Sequence, residues 1–243
     1  MANRETSYHF IVTVLPCNEE KDGNILIKAI LFDLDETLLD RETMIERFLV
    51  GQHARLALQT PSYEVYHARF KALDEHGYAD RYKVFQTLAA EFALPLSAEE
   101  LLADFRRHAW QECQPFPDAH AVLKELRSRG YPLGLITNGS SEAQRGKLSA
   151  ADLAGYFAVI LISEEQTIRK PEAAIFLRAA ETLGVAPTAC LFVGDNPQAD
   201  IGGAYQVGMK TVWRKGDLAW PAGLALTPDY TIDALSQLLT IAF

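Results

Sequence analysis

The chain has 243 residues, 49 % of them hydrophobic, which suits one large domain or two modest ones with a sizeable core and no need of disulfide staples. Its 32 acidic against 23 basic side chains leave a formal charge of −9, which argues against a nucleic-acid surface, since that needs a basic stripe. Cys17, Cys113 and Cys190 are scattered without metal-ligand spacing and read as free thiols of a reducing compartment, and the six histidines form no zinc-like cluster.

In chain order, residues 1–24 form an N-terminal extension of unassigned role. Within it, Tyr8–Pro16 is apolar but short and lacks a small-residue cleavage site, so no signal peptide is expected. No apolar stretch approaches the ~20 residues of a membrane span. The cytoplasm is the default location. A peripheral strand or loosely held arm without catalytic role is expected for this segment.

Ile27–Phe32 is an apolar run bounded by polar residues and reads as a buried strand. Asp33-Leu34-Asp35-Glu36-Thr37 leaves its C-terminal end, the edge where open α/β sheets bind ligands. From residue 41 to 112 the pattern is helix upon helix, with Ile45, Phe48 and Leu49, then Tyr66, Phe70 and Leu73, then Phe85, Leu88 and Phe92 at helical spacing. Ser97-Ala98-Glu99-Glu100 has the form of a capping box. Gln114-Pro115-Phe116-Pro117-Asp118 ends this helical insertion, so Asp40–Thr43 and Gln114–Asp118 form a pair of crossing points.

After the helix over 119–129, strands at 132–137, 157–162, 190–194 and 210–213 alternate with helices at 141–149, 171–184 and 198–207. Gly130, Gly184 and Gly208 stand where helices should stop. A short strand near 228–232 and a closing helix over 234–239 complete the chain. Such alternation predicts an α/β fold with a mostly parallel sheet covered on both faces.

Three later segments join the first acidic pair. Leu133–Thr137 ends in Thr137-Asn138-Gly139, where a hydroxyl and backbone N–H groups can cradle an anion. Lys170 precedes Pro171, a residue suited to the first position of a helix. Leu191–Gly194 leads into a turn carrying Asp195 and Asp200.

In this order and spacing the four segments resemble the four motifs of the haloacid dehalogenase-like hydrolase superfamily, from about Ile27 to the C-terminus. The resemblance implies a doubly wound, Rossmann-like core (25–40 and 118–243) and an all-helical cap (41–117) that closes over the site. It also implies that all four segments meet at one sheet edge around a phosphorylated substrate and Mg²⁺.

On that reading Asp33 is the nucleophile and forms an aspartyl-phosphate. Asp35 protonates the leaving alkoxide and then takes a proton from water. Lys170, Thr137, Asn138 and Gly139 bind the phosphoryl oxygens. Two carboxylates 4 Å apart repel by roughly 4 kcal/mol at an effective dielectric near 20. The acidic set therefore needs a divalent cation, and oxygen ligands point to Mg²⁺. Asp33 and Asp195 are expected to coordinate directly, Asp35 through its backbone carbonyl, and Asp200 through water or as an anchor.

Asp35 argues for phosphoryl rather than halide chemistry, because the dehalogenase branch generally lacks a second aspartate. Glu36 stands where many relatives carry glycine. A phosphosugar mutase of the same superfamily is one alternative, although no distinctive extra base stands out. A phosphoaspartate signalling module is a second, but it is about half this length and has no inserted helices. An inactive interaction protein is a third, against which all the expected polar positions are present. The substrate is read as a small phosphorylated metabolite: a nucleoside monophosphate, sugar phosphate or phosphoglycolate. The polar residues of the helical segment (Arg41, Arg47, His53, Arg55, His67, Arg69, His108) carry no recognisable code and read mostly as solvent-facing.

Overall fold

A computed structural model describes residues 26–216 and 218–241, so the expectations for residues 1–24 and for Cys17 lie outside the described residues. The sheet strands are β1 (Ala29–Phe32), β2 (Leu133–Thr137), β3 (Val159–Ile162), β4 (Cys190–Gly194), β5 (Lys210–Arg214) and β6 (Tyr230–Ile232). They lie in the order β3-β2-β1-β4-β5-β6, and every neighbouring pair is parallel. This is the doubly wound order, whose strand direction of travel reverses between β1 and β4 and opens a crevice there. The central strands β2, β1 and β4 are largely apolar because both faces are covered: every residue in them is buried.

Four helices, α1 (Arg41–Arg55), α2 (Tyr63–Asp74), α3 (Arg81–Glu91) and α4 (Ala98–His108), form the segment between β1 and α5 (Ala119–Ser128). Tyr66, Phe70 and Phe85 are fully buried among them, which the helical spacing requires. Asp40 caps α1 through Thr43, and α4 carries the expected capping box, with Glu100 N donating to Ser97 Oγ and Ser97 N to Glu100 Oε2. The two crossings run side by side: Asp40 N donates to Gln114 O at 3.0 Å and Phe116 N to Leu38 O at 2.9 Å.

The remaining helices are α6 (Ser141–Ala150), the single turn α7 (Ser163–Gln166), α8 (Ala173–Thr182) and α9 (Gly203–Gln206). Gly130, Gly184 and Gly208 follow helices with φ of +91°, +68° and +79°, as their stopping role requires.

Three elements differ from expectation. α8 starts at Ala173, not at Pro171, because Glu172 N bonds Arg169 O and closes a turn that takes up the proline. The helix expected over 198–207 is a wide π turn over Pro197–Gly202 followed by α9; Ile201 N reaches back to Asn196 O at 3.2 Å. The closing segment, Leu235–Thr240, is 3₁₀ rather than α.

Candidate active site

Parallel strands end together, so what leaves β1, β2 and β4 at their C-terminal ends must meet. Asp33 follows β1, Thr137 ends β2, and Asp195 follows β4. All three are buried, as are Lys170 and Asp200. Lys170 Nζ touches Asp33 Oδ1 and lies 2.6 Å from Asp200 Oδ1. Asp33 Oδ2 accepts from Thr37 Oγ1 at 3.2 Å.

Oxygens of Asp33, Asp195 and Asp200 lie within 4.8 Å of one another. Lys170 is the cation that touches this cluster among the described residues, so three buried carboxylates face one ammonium. Burial pushes the Asp33 carboxyl up to about 7, with Asp200 adding to the rise and Lys170 opposing it. Burial, Asp200 and Asp33 likewise raise Asp195 well above the usual carboxylate range. For Lys170, burial would favour the neutral amine, but Asp200 and Asp33 outweigh it and hold the ammonium.

This surplus of buried negative charge, with oxygen donors only, fits a hard divalent cation such as Mg²⁺. Asp200 is folded back beneath the cluster by Asn196 N, which donates to its Oδ2 at 2.9 Å. That fold needs Gly194, since a Cβ there would stand 2.5 Å from Asp200 Cβ and Oδ2.

Asp35 points elsewhere. Lys147 Nζ donates to its two oxygens at 2.8 and 2.7 Å, and Gln144 Nε2 donates to Oδ2 at 3.0 Å. Burial alone would raise the Asp35 carboxyl, but Lys147 and Arg41 outweigh it and hold the group below the usual range. The two carboxyls of one short motif thus have opposite environments, Asp33 shifted up and Asp35 down.

Asn138 brackets Lys170: its Nδ2 donates to Lys170 O at 3.0 Å and its Oδ1 accepts from Lys170 N at 2.9 Å. Gly139 lines the cavity, and its N–H donates to Ser163 Oγ at 3.0 Å.

A cavity of about 300 Å³ opens over these groups. Its other wall comes from the helical segment, including Arg41, His76, Tyr78, Arg81 and Trp110. Tyr78 OH accepts from Asn196 Nδ2 at 2.6 Å, directly joining that segment to the Asp195 turn. Arg41 corrects the solvent-facing reading: it is buried and bonds Asp74 Oδ2 at 2.8 Å, while Arg81 meets the other Asp74 oxygen. Gly77, at φ +92°, lies flat against the Arg41 guanidinium, where a Cβ would come within 2.9 Å.

Sequence reading gave no role to Thr37, Gln144 or Lys147. The available signal was on α6, where Gln144 and Lys147 stand three apart and so share one helix face.

Comparison with known proteins gives the family. The family model of the haloacid dehalogenase-like hydrolases matches residues 27–208, and the chain belongs to that family. It is 34 % identical to a phosphoserine phosphatase of Thermus thermophilus, over 87 % of this chain and 97 % of that one. It is 31 % identical to a glyceraldehyde 3-phosphate phosphatase of Methanopyrus kandleri, over 89 % and 97 %. The magnesium-bound YfnB of Bacillus subtilis superposes with a TM-score of 0.75 at 25 % identity, covering 88 % of this chain and 98 % of that one.

Proposed function

We propose that the chain is a Mg²⁺-dependent phosphatase that hydrolyses a small phosphorylated metabolite through a phosphoenzyme at Asp33. The observation that carries this reading is the split within one motif: Asp33 faces Lys170 and the acidic cluster, while Asp35 is held apart by Lys147 and Gln144. The relatives named as phosphatases support it, and so does the magnesium bound by YfnB.

Asp33 Oδ attacks phosphorus in line as the ester P–O bond breaks. Asp35, a carboxylate in the resting site, relays to the leaving oxygen the proton of a substrate arriving as its monoanion. It then accepts a proton from the water that attacks phosphorus and frees Asp33. Lys170 and Thr137 stabilise the phosphoryl oxygens, and Asn138 holds Lys170 in place. Asp33 and Asp195 would hold the cation, with the Asp35 carbonyl, while Asp200, already engaged by Lys170 and Asn196, anchors the set. When bound, a divalent cation would offset the negative charge shared by the phosphate and the carboxylates.

Residues 41–117 are the cap and residues 25–40 with 118–243 the core, because the cavity has one wall from each. The cap wall restricts the substrate to a small molecule: a nucleoside monophosphate, sugar phosphate or phosphoglycolate. Turnover of a panel of phosphorylated metabolites, ranked by kcat/KM with Mg²⁺ and with chelator, tests the reading. It expects Mg²⁺-dependent release of phosphate from at least one small member; chelator-resistant turnover, or none of any member, contradicts it.

A further inference from the structure

Asp35 is gripped by two buried side chains of a single helix. Lys147 is 9 % exposed and Gln144 2 %. Fixing two such long side chains costs rotamer freedom, so their placement needs a compensating interaction. For Lys147 the carboxylate within reach among the described residues is Asp35. Gln144 Nε2 serves two acceptors, Asp35 Oδ2 at 3.0 Å and Thr137 Oγ1 at 2.5 Å.

The surroundings are shaped for this grip. Gly139 has φ +146°, and a Cβ there would press within 3.0 Å of Gln144 Cγ and Cδ. On the other side of α6, a Cβ on Gly146 would stand 3.1 Å from the Trp110 ring. The helix is thus set closely between Gly139 and Trp110.

From this geometry we infer that Lys147 is a positioning residue that aims Asp35 first at the ester oxygen and then at the attacking water, with Gln144 tying that aim to Thr137. The inference rests on the phosphatase reading. The transferred proton passes from Asp35 to the ester oxygen as the ester P–O bond breaks. A second passes from water to Asp35 as the new P–O bond forms and the Asp33–phosphorus bond breaks.

A lysine with a purely structural role would affect all substrates alike, whereas one acting through Asp35 matters most when the leaving oxygen needs a proton. The test compares kcat/KM, which reports ester cleavage, for phenyl phosphate and p-nitrophenyl phosphate. In the Mg²⁺-loaded protein, Lys147→Met is expected to lose roughly 10- to 100-fold on phenyl phosphate and clearly less on p-nitrophenyl phosphate. In the Asp35→Asn background the same change should add no more than about two-fold, because both substitutions remove one function. Lys147→Arg should recover most of the phenyl phosphate rate.

Equal loss on both esters, no loss on either, or a full further loss in the Asp35→Asn background overturns the inference while leaving the phosphatase reading standing. Failure of the wild type to release phosphate from these esters and from every member of the metabolite panel overturns both. Should Lys147→Met not fold, judged by circular dichroism and thermal unfolding, Lys147→Gln against Lys147→Arg gives the same comparison.

Discussion

Lys170 Nζ lies 2.6 Å from Asp200 Oδ1, a pairing made across 30 residues of chain by the turn before α8 and the π turn after β4. The same ammonium touches Asp33, so one cation bridges the proposed nucleophile and the anchor of the proposed metal set. Lys170→Met leaves buried carboxylates without that partner. Breaking a buried pair costs about 3–5 kcal/mol, and a loss of that order is expected in urea unfolding with chelator present. Phosphatase turnover is expected to fall at least ~100-fold.

Gly194 governs the same anchor by absence of a side chain. Gly194→Ala would place a methyl 2.5 Å from Asp200 Cβ and Oδ2, with strand β4 unable to retreat from its neighbours β1 and β5. The expected result is at least a ~10-fold weaker Mg²⁺ affinity, read by calorimetric titration. Unchanged affinity would remove Asp200 from the proposed metal set.

Asp74 carries a pH dependence with a definite sign. Burial favours its neutral form, but Arg41 and Arg81 outweigh this and hold the carboxyl below its ordinary 3.8. The unfolded carboxyl then binds its proton more tightly than the folded one. The stability it contributes is complete above the unfolded value of 3.8 and is lost as pH falls through the lower folded value. Asp74→Asn should therefore cost about 3–5 kcal/mol near neutral pH, with the gap to wild type narrowing below about pH 4. Urea midpoints measured across that range check it, and a gap independent of pH would contradict it.

Much of the fold was legible because short apolar runs punctuated by Asp, Thr and Gly have few readings other than buried parallel strands. The strands and most helices lie within a few residues of expectation; Asp33, Thr137, Lys170 and Asp195 line one strand-end cavity, and Asp200 joins them through Lys170 and the acidic cluster. The π turn at Pro197–Gly202 was not legible, since its wider hydrogen bonding leaves no distinct periodicity over so few residues.

Contacts made only by the tertiary fold were hidden as well. Lys147 reaches Asp35 across 112 positions, and Arg41 meets Asp74 across 33. In sequence both cations look like ordinary charges on helix surfaces; only their burial opposite a carboxylate distinguishes them. Glu36 falls between these cases. Its φ of +57° explains why glycine suits that position, yet its side chain accepts from Glu42 N at 2.8 Å at the start of α1, a local role that glycine could not fill.

The central claim is that Asp33 becomes esterified by the substrate's phosphoryl group. Acid quenching during turnover with Mg²⁺, followed by borohydride reduction of the acyl phosphate and peptide mapping, tests it most directly. Reduction at position 33 that needs both substrate and Mg²⁺, and that is missing from a folded Asp33→Asn variant without turnover, is the expected result. Turnover by Asp33→Asn, or modification at Asp35 or Asp195 instead, would contradict the account.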